Sequence, residues 1–462
     1  MRDPGDLRAF NLEVMSKAQA GELAQPAGCI EERRGYARYV LAVLGLISVL
    51  DYYDRNLISI LIEPIELGLH LDDAQIGLLS GIAFALAYGV CGIPIARLAD
   101  RYGRVRVLTA GVAVWSVMTV VTARAINFTS MVLARVGVAL GEAGAFPATQ
   151  ALVAEYFPLE RRGTALSVIG VCGGIGLTLA LAGGGLLNDW VGWRGAFLIS
   201  GVPGLLLAVL LWLTVREPDR AAAGAALKAV PKKISGNSPL LVLMGRRSYV
   251  HLCIGLGFAA IGAYAQMTWA PAFLMRTYHL STGQVGGYFS AAVGPATLVS
   301  IFLGGVLNDR FVRRGHYSAP VWMLVASFGL TVPLSLAFYL TRDFALAMAL
   351  TVFTTVLGGL WVAPFYAVVQ NLAGPELRAF SAAIASLIIN VIGLSAGPYL
   401  AGLFSDLLAP RFGIQSLGIS LNILNVTFVI GVVHFILASR TVHADVIEAE
   451  GNAIPSYQGE TT

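Results

Sequence analysis

Two stretches decide the architecture: "ARLADRYGR" at Ala96–Arg104 and "GVLNDRFVR" at Gly305–Arg313. Each follows a long apolar run and closes it with charge. Asp100, Arg101 and Arg104 of the first return as Asp309, Arg310 and Arg313 of the second, at a constant offset of 209 residues. The chain therefore reads as two related halves, each carrying the same charged turn after its second apolar run. Gly103 sits in the first turn, where the chain must reverse sharply; Val312 stands at the matching place in the second.

Outward from these turns the sequence is apolar almost without interruption. Of 462 residues, 56% are hydrophobic and only 13% are charged, against about 25% charged in an ordinary soluble chain. The runs are near 20 residues, the length that crosses about 30 Å of hydrocarbon as a helix. They do not alternate as barrel strands do. Twelve spans are expected, at about 38–62, 73–98, 105–125, 128–154, 164–187, 194–215, 248–275, 283–308, 318–340, 344–371, 378–406 and 415–439. The fold class is an all-α membrane protein of two pseudo-symmetric six-helix bundles.

The expected organisation is an N-terminal tail at 1–37, one half at 38–215, a linker at 216–247, the other half at 248–439 and a C-terminal tail at 440–462. The linker is marked by Pro218, Pro231 and Pro239 and by Lys228, Lys232 and Lys233. The N-terminal tail lacks the short apolar core of a signal peptide and has helical character around Leu12–Ala20. Of 31 Lys and Arg, five (Arg124, Arg194, Arg276, Arg342 and Arg411) fall in one set of alternate loops, and Arg55 and Arg135 lie inside spans. All the others are on the opposite side. Basic residues stay cytoplasmic, so both termini are expected inside, in a plasma (inner) membrane. Cys29, Cys91, Cys172 and Cys253 have no pairing or metal spacing and are expected to be free thiols. No metal cluster, phosphate-binding loop or nucleophile elbow is found. The reading is a non-enzyme without cofactor or nucleic-acid partner, expected to be a monomer.

Span 1 contains "DYYDRN", Asp51–Asn56, where a lipid-facing helix has no use for charge. Ionised groups inside a membrane are costly and mark pathways or relays. Asp51 and Arg55, four apart, can pair on one face. Asp54 points along another line and needs a different partner. In span 4, Arg135 and Glu142 are seven apart, about 10 Å along one helix face, so each is expected to reach across to span 1. Desolvation favours the protonated carboxyl and a nearby cation opposes it. A change of shape can therefore load or release a proton. Asp54 and Glu142 are the candidate proton sites, with Asp51, Arg55 and Arg135 as charge partners and headgroup binders; a static ion-pair network that fixes packing is the alternative. Glu63 and Glu66, beyond span 1, are expected to be solvated. His434 is read as a lone polar residue in span 12. The turn residues Asp100, Arg101, Gly103, Arg104, Asp309, Arg310 and Arg313 are expected to form a conformational latch. Tyr264, Gln266 and Trp269 in span 7, with Trp361, Tyr366 and Asn371 in span 10, supply the mixture of apolar wall and sparse polar groups that a cargo cavity needs.

With twelve spans, two halves and the "DRYGR" turn, the chain resembles the major facilitator superfamily. Within it, "DYYDRN", "ARVGVALGEAGAFP" (Ala134–Pro147), "DWVGWRGAFLISGVPGLL" (Asp189–Leu206), "TWAPAFL" (Thr268–Leu274) and "GPYLAGLFSD" (Gly397–Asp406) resemble the spinster lipid transporters, most closely bacterial ones. The resemblance implies proton-coupled export or flipping of amphiphilic lipids, lysophospholipid or sphingolipid-like, by rocker-switch alternating access. A drug or small organic-anion transporter of the same superfamily is the second reading, and a non-transporting membrane sensor the third.

Overall fold

The computed structural model describes residues 27–217, 239–316 and 318–451. The segment Leu12–Ala20 and most of the linker fall outside them. Among the described residues, ten helical stretches are long and apolar enough to cross a membrane. Two of these, Glu160–Thr214 and Phe380–Glu448, each hold two crossings, which makes twelve. The helix Leu159–Thr214 has 56 residues; at about 1.5 Å per residue it would run some 84 Å if straight. It folds back at Gly192, whose φ of 73° and ψ of 168° lie where a side chain would clash. A single glycine thus replaces the interhelical gap expected between spans 5 and 6.

Buried side chains separate into three clusters. One mixes both halves: Leu57, Ile60, Trp193 and Phe197 of the first pack with Trp269, Phe273 and Leu421 of the second. These residues lie at the end of the bundle away from the chain termini, called here the distal end. A second cluster belongs to the first half, joined from the other half by Leu394 and Tyr264. The third is built from the second half. The halves therefore share a core distally and keep separate cores at the proximal end.

Two small-residue contacts close the distal end. A Cβ placed on Gly402 of span 11 would sit 2.0 Å from the Asp73 carbonyl of span 2. One placed on Gly286 of span 8 would sit 2.2 Å from the Leu181 carbonyl of span 5. Glycine lets these backbones touch, as small residues do between membrane helices. Side chains then cap helices in trans. Asp406 of span 11 accepts from the Asp73 and Ala74 amides at 3.2 and 2.7 Å, at the start of span 2. Asp189, at the end of span 5, accepts from the Gly283 amide at 3.0 Å and the Ser281 hydroxyl at 2.7 Å, at the start of span 8. Each carboxylate covers amides that a helix start leaves unpaired. Each does so on the opposite half.

Gly402→Ala is expected to push spans 2 and 11 apart and to cost roughly 1–3 kcal/mol of stability. Gly174→Ala, where a Cβ meets nothing within 4 Å, is expected to be neutral. Thermal unfolding of the two variants in detergent checks the contrast; equal losses would refute it.

Candidate functional site

Span 1 turns Asp51 and Arg55 to one face, and span 4 brings Glu142 to meet them. Arg55 Nη2 donates to Asp51 Oδ1 at 3.2 Å and to Glu142 Oε2 at 3.0 Å, and Nε donates to the same Glu142 oxygen at 3.3 Å. The guanidinium lies over the Tyr88 ring, 5.0 Å from its centroid, and near those of Tyr52 and Phe84. Arg135 is a turn and more away on span 4. It stacks on the other side of the same problem: its guanidinium is 5.3 Å from the Phe84 centroid, and Nη1 reaches the Asp54 backbone carbonyl at 3.5 Å. Both span 4 charges thus reach span 1, as their spacing requires.

Asp54 and Arg135 are 2% exposed and Glu142 is 0% exposed. Asp54 Oδ1, Arg135 Nε, Glu142 Oε1 and the nearby Thr119 Oγ1 are buried without a hydrogen-bond partner. Such groups are uncommon and costly in a folded interior. The cluster holds three carboxyls (Asp51, Asp54 and Glu142) and two guanidiniums (Arg55 and Arg135). One added proton brings it to neutrality, the cheaper state in low dielectric.

The other candidates divide. Tyr264 of span 7 packs onto the first half's core beside Tyr88. Tyr366 hydrogen-bonds Ser386, 3.2 Å between hydroxyls. Gln266 lines a cavity of about 370 Å³ between the halves, walled by spans 1, 5, 7 to 10 and 12. Trp269 does not face that cavity: it is fully buried and donates Nε1 to the Pro398 carbonyl at 2.9 Å. Trp361 packs on Phe328 and Phe365. Asn371 lies apart, in a small cleft near the proximal end with Val312 and Val446. His434 is not alone; its Nδ1 is 3.0 Å from Nδ1 of His251.

In the first charged turn, Gly103 takes a φ of 114° and links spans 2 and 3. Arg104 pairs with Glu155 and, at 3.8 Å, with Asp100. Glu217 caps span 3, accepting from the Arg104 and Val105 amides at 2.6 and 2.9 Å. In the second turn, Arg313 Nε donates to the Asp309 carbonyl at 3.2 Å, and Asn308 Nδ2 donates to the Asp309 side chain at 3.4 Å. The reversal comes later than in the first copy, at Gly315 with a φ of 78°, which accounts for Val312. These contacts stay within each half.

The model of the Major Facilitator Superfamily matches residues 44–398. The chain belongs to that superfamily. This transporter is 35% identical to an "MFS-type efflux pump" of Mycolicibacterium smegmatis, over 94% of its own length and 99% of that protein. It is 28% identical to human "Protein spinster homolog 1" over 80% of its length and 74% of the relative. It superposes on the crystal structure of a bacterial homologue of the human lysosomal transporter Spinster, in an inward-facing and occupied conformation. That match has a TM-score of 0.79 and 28% identity, and covers 89% of this chain and 98% of that one. Within the superfamily the transporter is of the spinster type.

A second charged cluster was not anticipated. Glu63 and Glu66, expected to be solvated, are 21% and 11% exposed at their side chains. They turn inward because Arg276, at the distal end of span 7, offers one guanidinium to three carboxylates of the other half. It reaches Glu63 at 2.5 Å, Glu66 at 2.7 Å and Asp73 at 2.7 and 2.9 Å. Burial is the largest influence on Glu66, Arg276 opposes it, and Asp73 and Glu63 reinforce it; the carboxyl is pushed up to about 10. Glu63 is raised too, by burial against Arg276. An exposed glutamate titrates near 4.3, so distal closure takes up a proton. Acid pH favours closure, and that contribution is lost as pH rises from the ordinary glutamate range through about 10.

Distances between spin labels on the distal ends of spans 1 and 7 should therefore lengthen as pH rises from 5 to 9 in the wild type. Glu66→Gln is expected to flatten that dependence, and Arg276→Gln to open the distal end at every pH. A wild-type pH response retained in Glu66→Gln would rule out the assignment.

Proposed function

We propose that the protein is a proton-coupled secondary transporter of amphiphilic lipids, working by rocker-switch alternating access as a monomer in the plasma (inner) membrane with both termini cytoplasmic. One observation carries the reading: a buried cluster with one carboxyl more than its guanidiniums, placed where span 1 meets span 4. Asp54 and Glu142 carry the proton. Glu142 shares Arg55 with Asp51, so protonating Glu142 frees part of that guanidinium for a polar headgroup. Asp54 has no side-chain pairing to lose, and its protonation relieves the unpaired charge beside Arg135. Proton binding and cargo binding are coupled through these groups, and such coupling is reciprocal.

With the termini inside, the shared distal core and the Arg276 cluster close the outer side, as in an inward-facing state. The charged turns would engage the opposite half when the inner side closes. Asp100 and Arg104, with Asp309 and Arg313, would then trade their within-half contacts for helix ends across the cleft, and Arg101 and Arg310 would join them. The spinster likeness supports a lysophospholipid or sphingolipid-like cargo.

A second reading, a proton-coupled drug or small organic-anion transporter, is favoured by the relative described as an efflux pump. Proteoliposomes with an imposed pH gradient separate the possibilities. Fluorescent lysolipid uptake should follow the gradient in the wild type and lose that dependence in the Asp54→Asn, Glu142→Gln double variant. Proton dependence surviving in the double variant would sink the mechanism. Transport of an apolar cationic dye with lysolipids inert would favour the second reading.

A further inference from the structure

Span 3 brings no charge to the central cluster, yet it brings polar groups. Trp115, Ser116 and Thr119 are 0%, 0% and 2% exposed. Trp115 Nε1, Ser116 Oγ and Thr119 Oγ1 are buried without a hydrogen-bond partner. With Asp54 Oδ1, Arg135 Nε and Glu142 Oε1 they make six of the eleven such atoms among the described residues. Each orphan of this kind needs a physical reason. A hydroxyl inside a helix can satisfy itself on the carbonyl four residues back. Thr109 and Thr122 of the same span do so, donating to the Val105 and Met118 carbonyls, both at 2.8 Å. Ser116 and Thr119 do not.

Packing fixes span 3 from two sides. A Cβ on Gly141 of span 4 would sit 2.6 Å from the Trp115 amide nitrogen, and one on Gly204 of span 6 would sit 2.0 Å from Ser116 Oγ. Ser116 thus faces span 6. Thr119, one turn on from Trp115, faces span 1, where its hydroxyl stands beside the Asp54 carboxyl without bonding it. The ionisable groups around that carboxyl are Asp51, Tyr53 and Arg55 of span 1 and Arg135 and Glu142 of span 4. Tyr88 of span 2 faces Asp51, Arg55 and Glu142. Span 6 adds the Ser200 hydroxyl, 3.0 Å from that of Tyr53. Arg135 donates to the Asp54 backbone carbonyl, not to its side chain.

A carboxyl that gains and loses a proton in a buried site needs a partner able to do two things. Ionised, it only accepts hydrogen bonds; protonated, it has an O–H to give. A guanidinium only donates, so Arg135 can serve the ionised form alone. A hydroxyl donates or accepts as its hydrogen rotates. The Asp54 carboxylate turns about a soft terminal torsion, which lets it meet Thr119. We propose that Thr119 is a positioning residue of the proton site. Its hydroxyl donates to Asp54 when the carboxyl is ionised and accepts from it when the carboxyl is protonated, which fixes the proton's place between spans 1 and 3. Span 3 thereby joins spans 1 and 4 in proton coupling. The proposal rests on the reading of Asp54 as a proton carrier.

Infrared difference spectra of the full-length protein in lipid, titrated with acid, test this without any cargo. The protonated-carboxyl band that Asp54→Asn removes belongs to Asp54. Of the two bonds Thr119 can make, the one to the ionised carboxyl is the stronger, so losing the hydroxyl favours the protonated form. In Thr119→Val the midpoint of that band should move to higher pH by about one unit, and its carbonyl frequency should shift as the bond disappears. Thr119→Ser keeps the hydroxyl and should keep the wild-type midpoint. Thr119→Ala removes it without the second methyl of valine and should match Thr119→Val, which separates the effect from a packing defect peculiar to either. A wild-type midpoint and frequency in Thr119→Val and Thr119→Ala would overturn the role of Thr119 and leave Asp54 as the proton carrier. A wild type with no titrating band that Asp54→Asn removes would overturn both readings.

Discussion

Arg55 held between Asp51 and Glu142 is the contact on which the rest of the arrangement depends. One guanidinium ties two helices and answers two carboxylates. It also takes up the aromatic faces of Tyr52, Phe84 and Tyr88, which offset part of its desolvation through their ring quadrupoles. Buried pairs of this kind add little net stability, yet removing one partner strands the other at a cost of about 3–5 kcal/mol. Such a contact is suited to switching: changing the charge of Glu142 alters what Arg55 must find elsewhere without dismantling the helices that hold both.

The two halves divide the chemistry. Every charge of the central cluster comes from spans 1 and 4. The cavity beside it is walled mainly by spans 7 to 10 and is uncharged. Tyr264 reaches from the second half onto the core of the first, and Asn56, next to Arg55 in sequence, lines the cavity. Span 1 therefore presents charge on one face and cavity wall on another. A change in the charge cluster that rotates or shifts span 1 moves both at once. That is a physical route for coupling that needs no contact between a proton and a cargo.

Much of this was legible in sequence, and the limit has a clear cause. Apolar run length and the 209-residue repeat gave the twelve spans and two halves, because a helix must satisfy its own backbone in lipid. Asp51, Asp54, Arg55, Arg135 and Glu142 were conspicuous because charge inside a span is rare. Helical spacing then told which could meet. The distal cluster was not legible. Glu63, Glu66, Asp73 and Arg276 sit at span ends, where charge is ordinary, and their meeting depends on two halves some 200 residues apart coming together. The trans caps Asp189 and Asp406 are hidden for the same reason, although each lies near the end of the fifth span of its half. Trp269 looked like a cavity aromatic; only packing reveals that its ring fills the distal core and its Nε1 donates to the Pro398 carbonyl.

The two charged clusters then have related arithmetic. The central one counts three carboxyls to two guanidiniums, and the distal one, with Glu63, Glu66 and Asp73 around Arg276, three to one. Neither reaches neutrality without a proton. The distal cluster joins the halves, so its proton demand belongs to one shape of the molecule. The central one lies within a single half, so its demand can persist through the change of shape. On the proposed mechanism the central carboxyls carry the proton across the membrane, while the distal carboxyls make closure of that face sensitive to the pH outside it. An acidic exterior would load the one and lock the other, and the lock holds the transporter in the cytoplasm-facing state. On that mechanism cargo is bound from the interior against a closed outer face.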